Sequence, residues 1–221
     1  MTNNGERETP IIIEDLRSKL PVIRDQGRRP LCLVFASSDA NSHANGLCDP
    51  LSIEYLAYYA YKLSGKKNYS KGLCVHEVCQ ALSKEGQPEE NIYPYNMTAK
   101  SITKPCEKNI LGNDIYYGEF MSSSRKYDNV EKTINNGIPV LICSHVTVDM
   151  LSGKSPAIYS ESKDVRGNHA MIVCGIGESK GKRLLMIKNS WGRSWANGGY
   201  AWITDDYVKR HVFNAQVMET K

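Results

Sequence analysis

Four polar residues are of the types that thiol-based acyl transfer requires. Cys32 follows Pro30 at the predicted start of a helix, and Gln26 lies six residues before it in a turn-like segment. His169 and Asn189 come much later, His169 at the start of one apolar run and Asn189 at the end of another. Because their neighbours leave these four side chains little structural purpose, we interpret them as a candidate catalytic set.

The chemistry assigns a different role to each member of this set. A cysteine attacks as the thiolate, and a free thiol with a pKa of about 8.5 is mostly protonated at neutral pH. A helix N-terminus and a neighbouring imidazolium both favour the thiolate, so we expect Cys32 to be the nucleophile and His169 the acid and base. Asn189 would orient the imidazole, and the Gln26 NH₂ would hold the oxyanion together with the backbone N–H of Cys32.

The first half of the chain is predicted to be helical. Helix start and stop signals predict helices over 31–45 and 53–63, and apolar spacing predicts a helix over 74–85. A shorter helix is predicted over 128–135, at the start of the second half. Ser52 is expected to cap the second helix and Gly86 to end the third. Cys32 would therefore stand in the first turn of the first helix.

The second half of the chain changes to short runs that are apolar or alternate between apolar and polar residues. These runs cover 138–146, 169–176, 184–189, 199–204 and 212–218. Such runs, separated by glycines and polar loops, are typical of antiparallel strands. We therefore expect an α+β chain with helices first and strands second, and one domain over residues 1–221, since no long linker interrupts it.

The motifs resemble, in their order along the chain, those of the papain-like cysteine proteases. The resemblance is carried by Gln26-Gly27 with Cys32, Asn168-His169-Ala170, and Lys188-Asn189-Ser190-Trp191-Gly192, with support from Leu51-Ser52, Tyr93-Pro94-Tyr95 and Gly199-Tyr200. In that family the histidine and asparagine follow the cysteine by about 130–150 residues. Here they follow it by 137 and 157 residues. The resemblance covers nearly the whole chain, and the order of the motifs makes it specific.

The resemblance implies a papain-like fold of two lobes with the active-site cleft between them. The helical left lobe would cover residues 22–115 and the antiparallel β-rich right lobe residues 116–218. Trp191 would shield the hydrogen bond between His169 and Asn189, and Gly72, Asn168 and Trp191 would belong to the substrate-binding surface. The implied activity is hydrolysis of peptide bonds through a Cys32 acyl-enzyme, with no metal and no organic cofactor.

The sequence departs from the family pattern around the nucleophile. The family's usual Cys-Gly-Ser-Cys-Trp is replaced here by the segment Arg29-Pro30-Leu31-Cys32-Leu33. The disulfide cysteine is thus lost, and seven cysteines cannot all pair within the chain, so we expect a reducing compartment and a cytoplasmic protein. Arg28 and Arg29 are interpreted as solvated loop arginines, the alternatives being that they lower the thiol pKa or attract acidic substrates.

Composition and the start of the chain limit the expected partners. With 41% hydrophobic and 24% charged residues, the chain is ordinary for a globular protein, and its net charge of +4 does not demand nucleic acid. No run approaches the roughly 18 apolar residues of a membrane span. The polar start, Met1–Arg7, does not resemble a signal peptide. We expect a peptide or protein substrate, no nucleic acid and no membrane, and, since no long prosegment precedes Cys32, restraint by an inhibitor or regulatory partner.

Two other functions and two rival sites stay open in the sequence. An acyl-transfer effector would resolve the acyl-enzyme with an amine, as a transpeptidase, a cross-linking enzyme or a deamidating enzyme, and a peptide-binding pseudo-enzyme is suggested by Leu31 and Leu33. His145 is a rival base, although it lacks the pairing with a downstream Asn-Ser-Trp-Gly strand that is expected for His169. The motif Cys74-x-His76-x-x-Cys79 does not have the spacing of a zinc site, and we interpret its cysteines as core thiols.

Overall fold

The computed structural model describes residues 9–66, 69–153, 158–160 and 162–221. The segment Met1–Arg7, on which the expectation about a signal peptide rests, lies outside these residues. Within them, no helix has the length and the apolar composition needed to cross a membrane.

The predicted helices of the first half are confirmed to within one or two residues. They are α1 (Cys32–Ala44), α2 (Ile53–Ser64) and α3 (Val75–Glu85), followed by the short α4 (Glu107–Ile110). The Ser52 side chain accepts a hydrogen bond from the backbone N–H of Tyr55 over 3.2 Å and so caps α2. Gly86 ends α3 with a φ of +65°, where a Cβ would lie 2.9 Å from the carbonyl oxygen of Tyr116.

The second half forms the predicted sheet with further short helices between its strands. The elements are β2 (Gly118–Ser122), α5 (Tyr127–Asn135), β3 (Val140–Thr147), α6 (Val148–Ser152), β4 (Ile158–Tyr159), β5 (Val165–Ser179), β6 (Lys182–Lys188), β7 (Tyr200–Thr204), α7 (Asp205–His211) and β8 (Val212–Thr220). The strand order is β2-β8-β3-β5-β6-β7-β4, and the pairs are antiparallel except for the short β4–β7 pair. The α+β class is thereby confirmed, and the bounds of the two lobes stay a prediction.

The expected order of helices first and strands second is wrong at the start of the chain. Strand β1 (Ile11–Asp15) pairs antiparallel with β5 in the sheet of the second half. Ile11, Ile12 and Ile13 are all exposed, so β1 lacks the alternation that marks a half-buried strand. Pairing with β5, not a local pattern, makes this segment a strand.

Helix α1 is buried along most of its length and packs against the sheet strands β3, β5 and β8. Its side chains from Leu33 to Ser42 are buried. Leu31 and Leu33, which replace the family's serine and tryptophan on either side of Cys32, both belong to the continuous hydrophobic core. The first turn of α1 is therefore held against β5 by apolar packing on both sides of the thiol.

A buried ionic cluster also ties α1 to the sheet. The Asp39 carboxylate on α1 forms an ion pair with Lys188 Nζ at the end of β6, and its other oxygen accepts from Arg24 Nη2 over 2.9 Å. Asp39 and Lys188 are both buried. Because an unpaired charge at such a site would cost about 3–5 kcal/mol, the cluster holds the helix in one position relative to β6.

Candidate active site

Residues 24–26 and 190–192, which are distant in the sequence, lie side by side and bring the Gln26 and Asn189 motifs together. The backbone N–H of Gln26 donates to the carbonyl oxygen of Ser190 over 2.8 Å, and that of Gly192 donates to Arg24 over 3.2 Å. Gly192 has a φ of +77°, and a Cβ there would lie 2.9 Å from an Asp25 carboxylate oxygen. Glycine thus permits the close approach that aligns residues 24–26 with residues 190–192.

Cys32 is the first residue of α1, as predicted. No side chain caps this helix, and no acidic residue lies in its first turn, so its backbone N–H groups keep their partial positive charge. Burial raises the pKa of the half-buried Cys32 thiol, and this outweighs the lowering by the backbone N–H groups of Ala170, Leu33 and Cys32 itself. The N–H groups at the helix end therefore lower the thiol pKa, as expected. Desolvation raises it by more, so the net pKa of Cys32 is raised.

His169 lies on β5, one residue before the Ala170 N–H that acts on the Cys32 thiol. Its Nε2 donates to Asn189 Oδ1 over 2.7 Å in a buried hydrogen bond. An amide oxygen can only accept, so the neutral ring carries its proton on Nε2 and its lone pair on Nδ1. Burial lowers the pKa of His169 to about 4, although the hydrogen bond to Asn189 raises it. The imidazole is therefore neutral at pH 7 when no charged group lies beside it.

One tryptophan covers the imidazole, and a second tryptophan packs against the first. The Trp191 ring lies against His169, with 4.5 Å between ring centroids and 36° between ring planes. Trp195 meets Trp191 edge-on with 5.4 Å between centroids. This position of Trp191 agrees with the expected shielding of the hydrogen bond between His169 and Asn189.

Gln26 is buried, and both ends of its side-chain amide are engaged. Its Oε1 accepts from Ser190 Oγ over 2.7 Å, and its Nε2 donates to the carbonyl oxygen of Arg29 over 2.8 Å. An NH₂ group has two hydrogens, so one donor remains for a further acceptor. The predicted oxyanion donor is therefore held in one orientation on the loop that leads to Cys32.

The interpretation of Arg29 as a solvated loop arginine is wrong. Its guanidinium is buried and pairs with both carboxylate oxygens of Glu54 on α2, the Nη2–Oε2 distance being 3.0 Å. It also donates to the Asn96 carbonyl oxygen over 2.8 Å and lies 4.9 Å from the centroid of the Tyr95 ring. At the position of the family's disulfide cysteine, an ion pair thus links the nucleophile loop to α2.

Sequence reasoning did not find Glu54 as the partner of Arg29. Glu54 stands in the first turn of α2, where the helix dipole alone accounts for an acidic residue. The signal that could have pointed to Glu54 is Arg29 itself, a charged residue at the position where relatives carry a disulfide cysteine. A buried arginine requires an anionic partner nearby.

The residues predicted to bind substrate lie in different surroundings. Gly72 is exposed before α3, and a Cβ there would lie 3.8 Å from the Pro30 carbonyl oxygen, so it borders the nucleophile loop. Asn168 is exposed, and its Oδ1 lies 2.9 Å from His145 Nδ1. Because successive strand residues point to opposite faces, Asn168 and His145 lie on the face opposite His169. The rival base His145 is therefore paired with Asn168, not with Asn189, whose amide oxygen is bound by His169.

All seven cysteines are free thiols. The interpretation of Cys74 as a core thiol is wrong, since it lies exposed at the N-cap of α3, and Cys79 is only half-buried. Across the described ranges, no group of three or more histidine, cysteine, aspartate or glutamate side chains is arranged to hold a metal ion.

A buried imidazole held by a side-chain amide, near a thiol at a helix N-terminus, is the arrangement of enzymes that transfer acyl groups through cysteine. The sequence profile of the papain family cysteine proteases matches residues 16–219. The chain belongs to this family.

Similar proteins agree with this assignment. A cysteine protease of Blomia tropicalis is 26% identical over 198 residues, which cover 85% of this chain and 58% of that protein. A cathepsin L-like proteinase of Fasciola hepatica is 24% identical over 182 residues, covering 80% of this chain and 55% of that protein. The chain thus spans less than two thirds of the length of these relatives.

Solved structures show the same fold. Xylellain, a cysteine protease from Xylella fastidiosa, superimposes with a TM-score of 0.80 at 21% identity, covering 97% of this chain and 91% of that chain. The digestive procathepsin L 3 of the Tenebrio molitor larval midgut superimposes with a TM-score of 0.73 at 19% identity, covering all of this chain and 73% of that one. The papain-like fold that the resemblance implied is confirmed.

Proposed function

We propose that the protein is a cysteine peptidase that hydrolyses peptide bonds, with Cys32 as nucleophile and His169 as acid and base. The observation that carries this proposal is the hydrogen bond from His169 Nε2 to Asn189 Oδ1, which leaves the Nδ1 lone pair available as a base. Asn189 is then a positioning residue, and Gln26 is the oxyanion donor. The substrate is a peptide or a protein.

The first half-reaction begins with a neutral thiol and a neutral imidazole. The Cys32 proton moves to His169 Nδ1 as the sulfur attacks the carbonyl carbon of the substrate. Neither ion is favoured alone in this buried place, but the two opposite charges stabilise each other, and the α1 N-terminus stabilises the sulfur anion. The carbonyl oxygen gains the negative charge and accepts from Gln26 Nε2 and the Cys32 N–H.

The remaining steps complete acylation and then restore the enzyme. The imidazolium gives its proton to the nitrogen of the leaving amine, the C–N bond breaks, and the acyl group stays on Cys32 as a thioester. The neutral imidazole then takes a proton from a water molecule that attacks the thioester carbon. The C–S bond breaks, the sulfur regains a proton from His169, and a carboxylic acid leaves.

The proposal is tested by labelling and turnover of the purified protein. A peptide epoxide should alkylate Cys32 much faster than the exposed thiols of Cys48 or Cys74, and Cys32→Ser should abolish both labelling at this position and peptide hydrolysis. Cys74→Ser is the matched control and should leave both unchanged. A protein whose Cys32 reacts no faster than Cys74 would be a binding module, and the proposal would fall.

The same experiment separates hydrolysis from acyl transfer. Product masses are compared with and without an added primary amine. Peptidase activity predicts the free carboxylate as the main product in both cases. Amide products that dominate at low amine concentration would instead assign a transferase, because amine and water compete for one acyl-enzyme.

We also propose that the protein works in a reducing compartment, as in the cytoplasm. The support is chemical: seven cysteines are free thiols, and an arginine–glutamate pair stands where relatives carry a disulfide. Mass measurement after thiol alkylation, without added reductant during purification, should find seven alkylated cysteines. Stoichiometric disulfide in freshly prepared protein would contradict this proposal.

A further inference from the structure

An open cavity of about 590 Å³ borders the nucleophile loop on the helical side of the molecule. Its walls are residues 27–31, residues 69–70 and residues 97–102, and we name it the loop cavity. This volume is in the range of sites that hold a ligand or a few side chains, about 300–1,000 Å³. One wall is the loop that leads from Gln26 to Cys32, so an occupant would lie beside the catalytic set.

The interior of the loop cavity is apolar and its walls are supported by packing. Leu31 and Ile102 are buried residues of the core that face it. Tyr69 packs edge-on against Tyr61 with 5.0 Å between centroids. Met97 also contributes an apolar side chain to the lining and is 47% exposed. The interior therefore suits an apolar side chain.

The rim of the loop cavity carries positive charge without compensation. Arg28 and Lys100 line it and are exposed, and neither forms an ion pair with a residue in the described parts of the chain. None of the described residues that line the cavity is acidic. Arg29 also lines the cavity, but its charge is compensated by the ion pair with Glu54. An occupant that places carboxylates at the rim would therefore be favoured.

We propose that the loop cavity binds an acidic segment of the polypeptide substrate, with an apolar side chain inside and carboxylates on Arg28 and Lys100. This inference rests on the proposed peptidase function, because the nucleophile loop is what joins the cavity to Cys32. It adds a substrate class to that function. It also gives Arg28 the role of attracting acidic substrates, one of the alternatives that the sequence left open.

Binding is tested apart from catalysis, in the Cys32→Ser protein. The probe is a fluorescein-labelled hexapeptide with two leucines and two glutamates, compared with its counterpart that carries glutamines, by fluorescence anisotropy. The glutamate peptide should bind about tenfold more tightly at low salt, and 0.5 M NaCl should remove most of the difference. Equal binding of the two peptides at low salt would overturn the inference.

Charge reversal locates the binding site. Arg28→Glu and Lys100→Glu should each weaken the glutamate peptide several-fold while leaving the glutamine peptide unchanged, since the apolar interior stays intact. Lys132→Glu, an exposed position on α5 in the sheet-bearing half, is the matched control and should retain the preference. Equal weakening by the control would show a general effect of net charge and would overturn the assignment to this cavity.

Failure of this inference is distinguishable from failure of the proposed function. If the native protein hydrolyses glutamate and glutamine substrates with the same kcat/KM, it is a peptidase without a preference for acidic substrates, and only this inference is overturned. A second outcome is that the Cys32→Ser protein binds the glutamate peptide at Arg28 and Lys100 but the native protein hydrolyses neither peptide. That result would support the binding site and overturn the peptidase assignment.

Discussion

Gln26 and Ser190 lie 164 positions apart and are joined by two hydrogen bonds. The backbone N–H of Gln26 donates to the Ser190 carbonyl oxygen over 2.8 Å, and Ser190 Oγ donates to Gln26 Oε1 over 2.7 Å. A hydroxyl that donates to Oε1 fixes which end of the Gln26 amide is the oxygen. The NH₂ group is thereby kept toward the nucleophile loop, where an oxyanion donor is needed.

Removing this hydroxyl should impair the oxyanion donor without removing it. We expect Gln26→Ala to lower kcat about a hundredfold or more, because an oxyanion donor is lost. Ser190→Ala should lower kcat about fivefold with little change in KM, because the loss of one hydrogen bond corresponds to about 1 kcal/mol. Steady-state hydrolysis of a peptide amide substrate measures both values.

The double variant Gln26→Ala/Ser190→Ala tests whether Ser190 acts through Gln26. If it does, the double variant should be no slower than Gln26→Ala alone. A further loss of about fivefold in the double variant would assign Ser190 a separate role.

Asn189→Ala should leave His169 without its Nε2 partner. The imidazole would then lose both its orientation and its tautomer, and kcat/KM should fall on the order of a hundredfold. The rate of Cys32 alkylation by the epoxide should fall with it, because both need the same base. Unchanged alkylation with impaired hydrolysis would show that Asn189 acts after acylation.

The ion pair between Arg29 and Glu54 should dominate the stability of the nucleophile loop. Arg29→Ala leaves a buried carboxylate without its partner and should lower the free energy of unfolding by about 3–5 kcal/mol. Arg28→Ala, one position away and exposed, is the control and should stay within about 0.5 kcal/mol of the native value. Urea unfolding followed by tryptophan fluorescence measures both.

The double variant Arg29→Ala/Glu54→Gln separates the charge from the packing. It should recover a large part of the lost stability, because the uncompensated charge is gone. No recovery would mean that the contacts of Arg29 with Asn96 and Tyr95, not its charge, stabilise the loop.

The buried imidazole should make stability depend on pH in the acid range. Burial lowers the pKa of His169 from its ordinary 6.5 to about 4, so between these values the unfolded chain binds the proton more readily than the folded protein. The free energy of unfolding should therefore fall as the pH decreases from 6.5 to 4, by about 3 kcal/mol for this group. Urea unfolding of the Cys32→Ser protein, in which the thiol cannot exchange a proton with the ring, measures it.

His169→Gln in the same background is the control for that pH dependence. The variant should show a shallower fall over the same range. A residual fall is expected, because burial also lowers the pKa of His43. Identical curves for the two proteins would show that His169 does not titrate in this window.

The local features of the fold were predictable because local patterns specify them. Ser52 before α2 and Gly86 after α3 are capping positions that a sequence displays directly. Strand β1 was missed because its three exposed isoleucines carry no alternation, and only the partner strand β5 makes it a strand. The short α7 was missed for a similar reason, since it lies between two strands whose apolar runs dominate the pattern.

By itself the sequence determined which residues form the candidate catalytic set and their order along the chain, because residue types and spacings are local properties. Only the tertiary structure decided that Arg29 pairs with Glu54 and that Gln26 is held by Ser190. It also decided that Arg28 stays at the rim of a cavity while its neighbour is buried. These pairings join segments 25 to 164 residues apart, and which partner a polar group meets depends on how the helices pack on the sheet.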